Sequence, residues 1–268
     1  MSTTSTEKFV VYWLGYHENP PAIQSLPAGI NVINLFLLNL APSKGGTTLD
    51  YTYITSKGTS WETILDQAHQ AQAKGVKVCV SIIPPATNDP IWNTIPDPTT
   101  FALNVYNLVK NWKLDGIDID PEQGNDLAPT QNFVTVVQAL SKYFGPASNT
   151  GLIMSYAGYQ PSDDEIVLKP CAKLFDYVMT MEYGGSPQDM ISLFNSYAAI
   201  VGEQNVMFGI GGDPWATQLS TTQTLAAWEP AKGNKGGMME FDINEDTNYQ
   251  AALAIIKALS SPAAATAR

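Results

Sequence analysis

Short, nearly unbroken apolar runs recur along the chain, and the stretches between them carry helical periodicity; this alternation narrows the accessible folds more than any other feature. The runs fall at residues 9–14, 31–38, 76–82, 114–122, 152–156, 175–181, 206–210 and 237–241. They are too continuously apolar for half-exposed strands and read as parallel strands covered on both faces. After a loop through 50–58, Thr59 and Glu62 form a capping box, Trp61, Ile64, Leu65 and Ala68 recur at helical spacing, and Gly75 stops the helix. Residues 99–112 carry Phe101, Val105, Leu108, Val109 and Trp112 on one stripe. Further helices are expected at 130–143, 187–200, 219–228 and 249–259, with a short one opening at Asp163-Asp164-Glu165. Eight strand-then-helix units imply one domain over 1–268, a single (β/α)8 TIM barrel, with flexible ends at 1–7 and 260–268. An open doubly wound sheet is the alternative, weakened because no Gly-x-Gly-x-x-Gly loop follows the first strand.

The fourth run differs from the others. Residues 114–122 read Leu-Asp-Gly-Ile-Asp-Ile-Asp-Pro-Glu, so acids interrupt an otherwise apolar strand. Side chains alternate along a strand, which puts Asp118, Asp120 and Glu122 on one face and Ile117 and Ile119 on the other. Neighbouring members of that row have Cα atoms about 6 to 7 Å apart. Carboxylates this close in a poorly solvated place cannot all ionise freely, so at least one should hold its proton near neutrality. Glu122, at the end of the row, is the candidate general acid. A solvated acidic turn is one bland reading, opposed by the alternating isoleucines. A calcium loop is the other, but Gly124 comes one place late and Pro129 stands where a bidentate glutamate is required.

Charge and composition exclude several function classes. A net charge of −11 disfavours nucleic acid and anionic membranes as partners. A neutral glycan is indifferent to that charge. No run approaches the roughly 20 apolar residues of a membrane span. Residues 1–8 are polar and show no signal peptide, so the expectation is either a cytoplasmic protein or one whose export signal has been removed. Cys79 and Cys171 lack metal-type spacing and read as free thiols. His17 and His69 are the two histidines, too few for a multi-histidine metal site and poor material for a Ser-His-Asp triad.

Residues 115–122 resemble the Asp-Gly-x-Asp-x-Asp-x-Glu signature of glycoside hydrolase family 18, the chitinase and endo-β-N-acetylglucosaminidase family. Residues 175–183 are similar to that family's sixth strand, with Met181 and Tyr183 at its Met-x-Tyr, and 236–241 to its eighth. The resemblance spans nearly the whole chain, without the inserted α+β domain of larger members. There are departures. In the third strand Ser81 is retained but the following glycines are not, Phe241 replaces the usual floor tryptophan, and Gly184 follows Tyr183.

The resemblance implies a retaining, substrate-assisted hydrolase of N-acetylglucosamine glycans that needs no metal or cofactor and is expected to be a monomer, extracellular by family habit. Glu122 is the implied proton donor, Asp120 the residue that orients the sugar's 2-acetamido group, Asp118 its proton-sharing partner, and Tyr183 a donor to the acetamido oxygen. Met181, Phe241, Tyr12, Ser81 and Tyr156 are the expected substrate-facing residues, and Trp215, just after the seventh strand, a sugar-stacking platform. Asp115, off the acidic row, reads as structural, Met179 and Met239 as barrel filling, and Trp13 and Trp92 as ordinary aromatics. Chitin is the leading substrate, favoured by Met181, where glycan-cleaving members frequently have Gln. Cleavage of the chitobiose core of N-glycans is the alternative, and a catalytically silent lectin or inhibitor the rival outside the enzymes.

Overall fold

The computed structural model describes residues 7–43, 46–85, 91–122, 129–212, 214, 216–231 and 233–260. In chain order its elements are β1 (Lys8–Leu14), β2 (Val32–Ser43), β3 (Gly46–Asp50), α1 (Trp61–Gln72), β4 (Lys77–Ile83), α2 (Ile91–Thr94), α3 (Pro98–Trp112) and β5 (Gly116–Ile119). There follow α4 (Gln131–Leu140), β6 (Ile153–Gly158), α5 (Pro161–Cys171), β7 (Tyr177–Thr180), α6 (Pro187–Val201), β8 (Val206–Gly211), α7 (Leu219–Ala227), β9 (Gly237–Phe241) and α8 (Gln250–Ser260). Eight of the strands pair in parallel, in the order β1-β9-β8-β7-β6-β5-β4-β2, and β1 pairs with β2 to close the barrel. The ninth, β3, runs antiparallel to the outer part of β2, in a stretch to which the sequence assigned no element.

Alternation along the strands separates two apolar layers. Val10, Tyr12, Val32, Phe36, Cys79, Tyr177, Met179, Met207 and Met239 fill the barrel, so the packing reading of Met179 and Met239 agrees with their positions. The opposite parity, including Val11, Ile33, Val80, Ile117, Ile119, Tyr156 and Val178, packs against the helices. Gly116 opens β5 because a Cβ there would lie 2.3 Å from the Ile153 carbonyl oxygen of β6.

Several boundaries differ from expectation. Ser60, not Thr59, caps α1, its hydroxyl accepting the Thr63 amide, so the cap is a single serine and not the expected Thr59–Glu62 box. β5 ends at Ile119, leaving Asp120 just past the strand and Glu122 in the following segment. The expected flexible ends fall outside the described residues except Glu7 and Ser260; Glu7 pairs with Lys235 at 3.0 Å, and Ser260 closes α8. Among the described residues no helix is long and apolar enough to cross a membrane.

The N-terminal end of the barrel is fastened by compensated charges. Lys235 is buried, and its ammonium donates to the carbonyls of Ala226 and Trp228 and to Glu229 at 2.8 Å, besides its pair with Glu7. Asp115 accepts from the Val78 amide at 2.9 Å and from Gln72 at 2.6 Å and pairs with Lys77 at 2.8 Å, the structural role read from its place off the row.

Candidate active site

The carboxylate row emerges at the C-terminal end of β5, where barrels of this architecture place their chemistry. Asp118 is fully buried inside the barrel. Its Oδ2 accepts the hydroxyls of Tyr12 at 2.6 Å and Ser81 at 2.8 Å, and its Oδ1 accepts that of Ser155 at 2.7 Å. The register explains this convergence, since Ser81, Asp118 and Ser155 are directly paired across β4, β5 and β6. Burial raises the Asp118 carboxyl above the ordinary aspartate value, and the three hydroxyls hold the rise in check.

Asp120 continues the ladder by donating its amide to the Ile82 carbonyl at 3.0 Å. Its own carbonyl accepts the Trp92 indole N–H at 3.0 Å, which makes Trp92 a brace for the segment that carries the carboxylates and not merely a core aromatic. Pro121 has no N–H to give, and the Glu122 amide turns back onto Asp120 Oδ1 at 3.1 Å. Burial pushes the Asp120 carboxyl well up, and the charges of Glu122, Asp118 and Asp164 push it further, against the single Glu122 amide. Asp118 therefore sits among three hydroxyl donors while Asp120 meets mostly like charge, so a proton shared by the row is held preferentially on Asp120.

A cavity of about 420 Å³ opens above the row, lined by Asp120, Glu122, Tyr12, Phe36, Tyr159, Met181, Glu182, Tyr183, Gly184 and Phe241. The Phe241 ring stacks parallel to Tyr183 with centroids 5.7 Å apart and meets Phe36 edge-on at 5.2 Å. Thr217 donates to the Tyr183 carbonyl and itself accepts the Gly211 amide, fixing the segment after β7 to the end of β8. Burial and the charges of Asp120 and Glu122 raise the Tyr183 phenol well above the usual range, so it stays a proton donor. Among the described residues no cluster of His, Cys, Asp and Glu forms a metal-ligand set.

Of the residues singled out from the sequence, Glu122, Asp120, Tyr183, Met181, Phe241 and Tyr12 meet at this cavity, with Asp118 and Ser81 beneath it. Tyr156 does not. It is a correction: Tyr156 has the helix-facing parity of β6 and donates its hydroxyl to Asp164 at 2.6 Å. Trp215 lies outside the described residues. Sequence reasoning missed Ser155, Phe36, Tyr159 and Glu182. Ser155 and Phe36 could have been found from strand parity, whereas the loop residues Tyr159 and Glu182 carry no periodic signal.

Over residues 5–240 the sequence matches the family model of the endo-β-N-acetylglucosaminidase EndoS TIM-barrel domain. It is 26% identical over 246 residues to endo-β-N-acetylglucosaminidase F2 of Elizabethkingia meningoseptica, covering 85% of this chain and 68% of that one. Two solved structures share its fold. The catalytic domain of a family GH18 chitinase from the fern Peteris ryukyuensis superposes with a TM-score of 0.76 at 20% identity, over 95% of this chain and 100% of that one. An endo-β-N-acetylglucosaminidase from Cordyceps militaris gives 0.68 at 19%, over 95% and 91%. With the acidic row in place at the mouth of an eight-stranded barrel, the chain belongs to the EndoS-type TIM-barrel family within glycoside hydrolase family 18 and is a glycoside hydrolase.

Proposed function

We propose that this hydrolase is endo-acting and cuts the β-1,4 bond between two N-acetylglucosamine residues in the chitobiose core of N-linked glycans. The observation that carries the choice of substrate is the match to the EndoS domain over residues 5–240, supported by the similarity to endo-β-N-acetylglucosaminidase F2. Chitin, which contains the same bond, is the second reading, and Met181 in the cavity wall is the residue that favours it.

The chemistry proposed is retaining and substrate-assisted. Glu122 protonates the glycosidic oxygen, and the 2-acetamido carbonyl of the sugar attacks the anomeric carbon, breaking the bond to the leaving sugar and forming an oxazolinium ion. Asp120 accepts from the acetamido N–H and offsets the positive charge developing there, as its proton passes toward Asp118. The hydroxyls around Asp118 can each rotate from donor to acceptor as it receives that proton. The Tyr183 phenol donates to the acetamido oxygen, a preorganised dipole in a site largely cleared of water. Glu122, now ionised, then takes a proton from the water that opens the oxazolinium ring and restores the anomeric configuration.

Two assays run side by side test this reading. Mass spectra of the products from a high-mannose glycopeptide and from chitin oligomers should show the glycopeptide reduced to a single N-acetylglucosamine on its asparagine. Turnover of chitin oligomers alone would transfer the reading to the second substrate; a covalent sugar ester on any carboxylate would refute the acetamido nucleophile.

A further inference from the structure

A second buried carboxylate stands behind the row and takes no part in the steps above. Asp164 lies in the first turn of α5 and is almost wholly inaccessible. Its Oδ1 accepts the Tyr156 hydroxyl at 2.6 Å; its Oδ2 accepts the Tyr197 hydroxyl at 2.5 Å and the amides of Tyr159 and Gln160 at 3.1 and 3.2 Å. All four partners are donors, which favours the anion and opposes the burial that raises this carboxyl above the ordinary aspartate value. A carboxylic acid there would have to abandon one of them.

The geometry ties Asp164 to the cleft along two routes. Tyr156 is paired with Ile119, the residue before Asp120, across β6 and β5. The Tyr197 ring lies over Gly158, where an added Cβ would come within 2.7 Å of it, and the Gly158 carbonyl receives the Met181 amide at 2.9 Å. The amides held by Asp164 belong to the segment that carries Tyr159 into the cavity wall.

From this arrangement we infer that Asp164 is a positioning residue for the reaction: gripped by Tyr156, Tyr197 and two loop amides, it holds the Tyr159 wall in place and sets a negative charge behind Asp120. The titratable groups facing Asp120 are Glu122 and Asp118 on its own segment, Tyr12 on β1, Tyr183 after β7, Tyr156 on β6, and Asp164. Those facing Asp164 are Tyr156 and Tyr197, with Asp163 beside Tyr197 and Asp120 across β6. Asp164 has no lysine or arginine among its described partners, so its charge reaches Asp120 without a cation between them to cancel it. Its effect is to keep the proton on Asp120 until substrate arrives.

The inference builds on the hydrolase mechanism but is tested without substrate. Carboxyl carbon NMR titration of the full chain follows Asp120, identified as the resonance missing from Asp120→Asn. In Asp164→Asn the Asp120 midpoint should fall by about half a pH unit or more, because a neighbouring negative charge has gone. Tyr197→Phe keeps the shape but takes away a donor that favours the Asp164 anion, so Asp164 holds its proton to higher pH and the Asp120 midpoint should move the same way by less; it decides the matter should Asp164→Asn fail to fold. On a cleaved glycan, the limb of the kcat/KM profile that tracks Asp120 should shift with the NMR midpoint. Unmoved midpoints in the variants that fold, even with reduced activity or Tm, would leave Asp164 a purely structural clamp and overturn the inference. A wild-type protein that cuts no glycan would defeat the proposed function, while the NMR midpoints would still judge Asp164.

Discussion

The two ends of this barrel treat buried charge in opposite ways. At the N-terminal end Lys235 stands between Glu7 and Glu229, and Lys77 pairs with Asp115, so each charge has a partner of opposite sign. At the C-terminal end Asp118 and Asp120 have hydroxyl and amide partners but, among the described ion pairs, no cation. Compensated charge fastens the fold, and uncompensated charge is retained where it can act on a substrate. The price is stability, because a carboxylate whose pKa is raised on folding is held at a cost once the pH exceeds its unfolded value.

The largest expected effect on this contrast lies at the fastened end. Lys235→Met strands the buried Glu7 carboxylate and three other acceptors, and should lower unfolding free energy by about 3 to 5 kcal/mol. Urea denaturation measures the loss, while turnover per folded molecule should stay unchanged. An equal loss of turnover would break the division between the two ends.

The next effect has the opposite sign. Asp118 and Asp120 have raised pKa values in the fold, and that of Asp242, beside the cleft, is pushed up to about 6 by burial. The folded protein therefore binds more protons than the unfolded chain as pH rises from about 4, and stability should fall from there through the titration of Asp242 near 6. Asp120→Asn should flatten this slope and raise stability at neutral pH, as it abolishes activity. Tm recorded at several pH values checks both points. The smallest effect is expected of Lys77→Ala, whose partly exposed pair with Asp115 is worth about 1 kcal/mol or less and whose loss should leave turnover alone.

The same contrast explains what was legible in the sequence. Asp118, Asp120 and Glu122 stand two apart on an apolar strand, and a period of two is local information. Met181, Tyr183 and Phe241 were legible through the resemblance of residues 175–183 and 236–241 to the family's sixth and eighth strands. Tyr156 was misplaced because residues one apart face opposite ways, and the parity of β6 is set by its pairing with β5, which places Ser155 inward beneath Asp118. The grip on Asp164 draws on β6, α5 and α6, and the Lys235 latch on both ends of the chain, so neither has a sequence period. The antiparallel pairing of β2 with β3 had a local sequence signal in Gly45-Gly46 followed by two threonines, overlooked beside the longer runs.

The most direct test of the account is the turnover of Glu122→Gln, measured on the folded protein with the substrate that the product assays identify. General acid catalysis by the last carboxylate of the row predicts a fall in kcat of at least about a hundredfold, with the affinity for a thiazoline mimic of the oxazolinium ion nearly retained. A variant keeping more than about a tenth of wild-type kcat would contradict the assignment of Glu122 as proton donor.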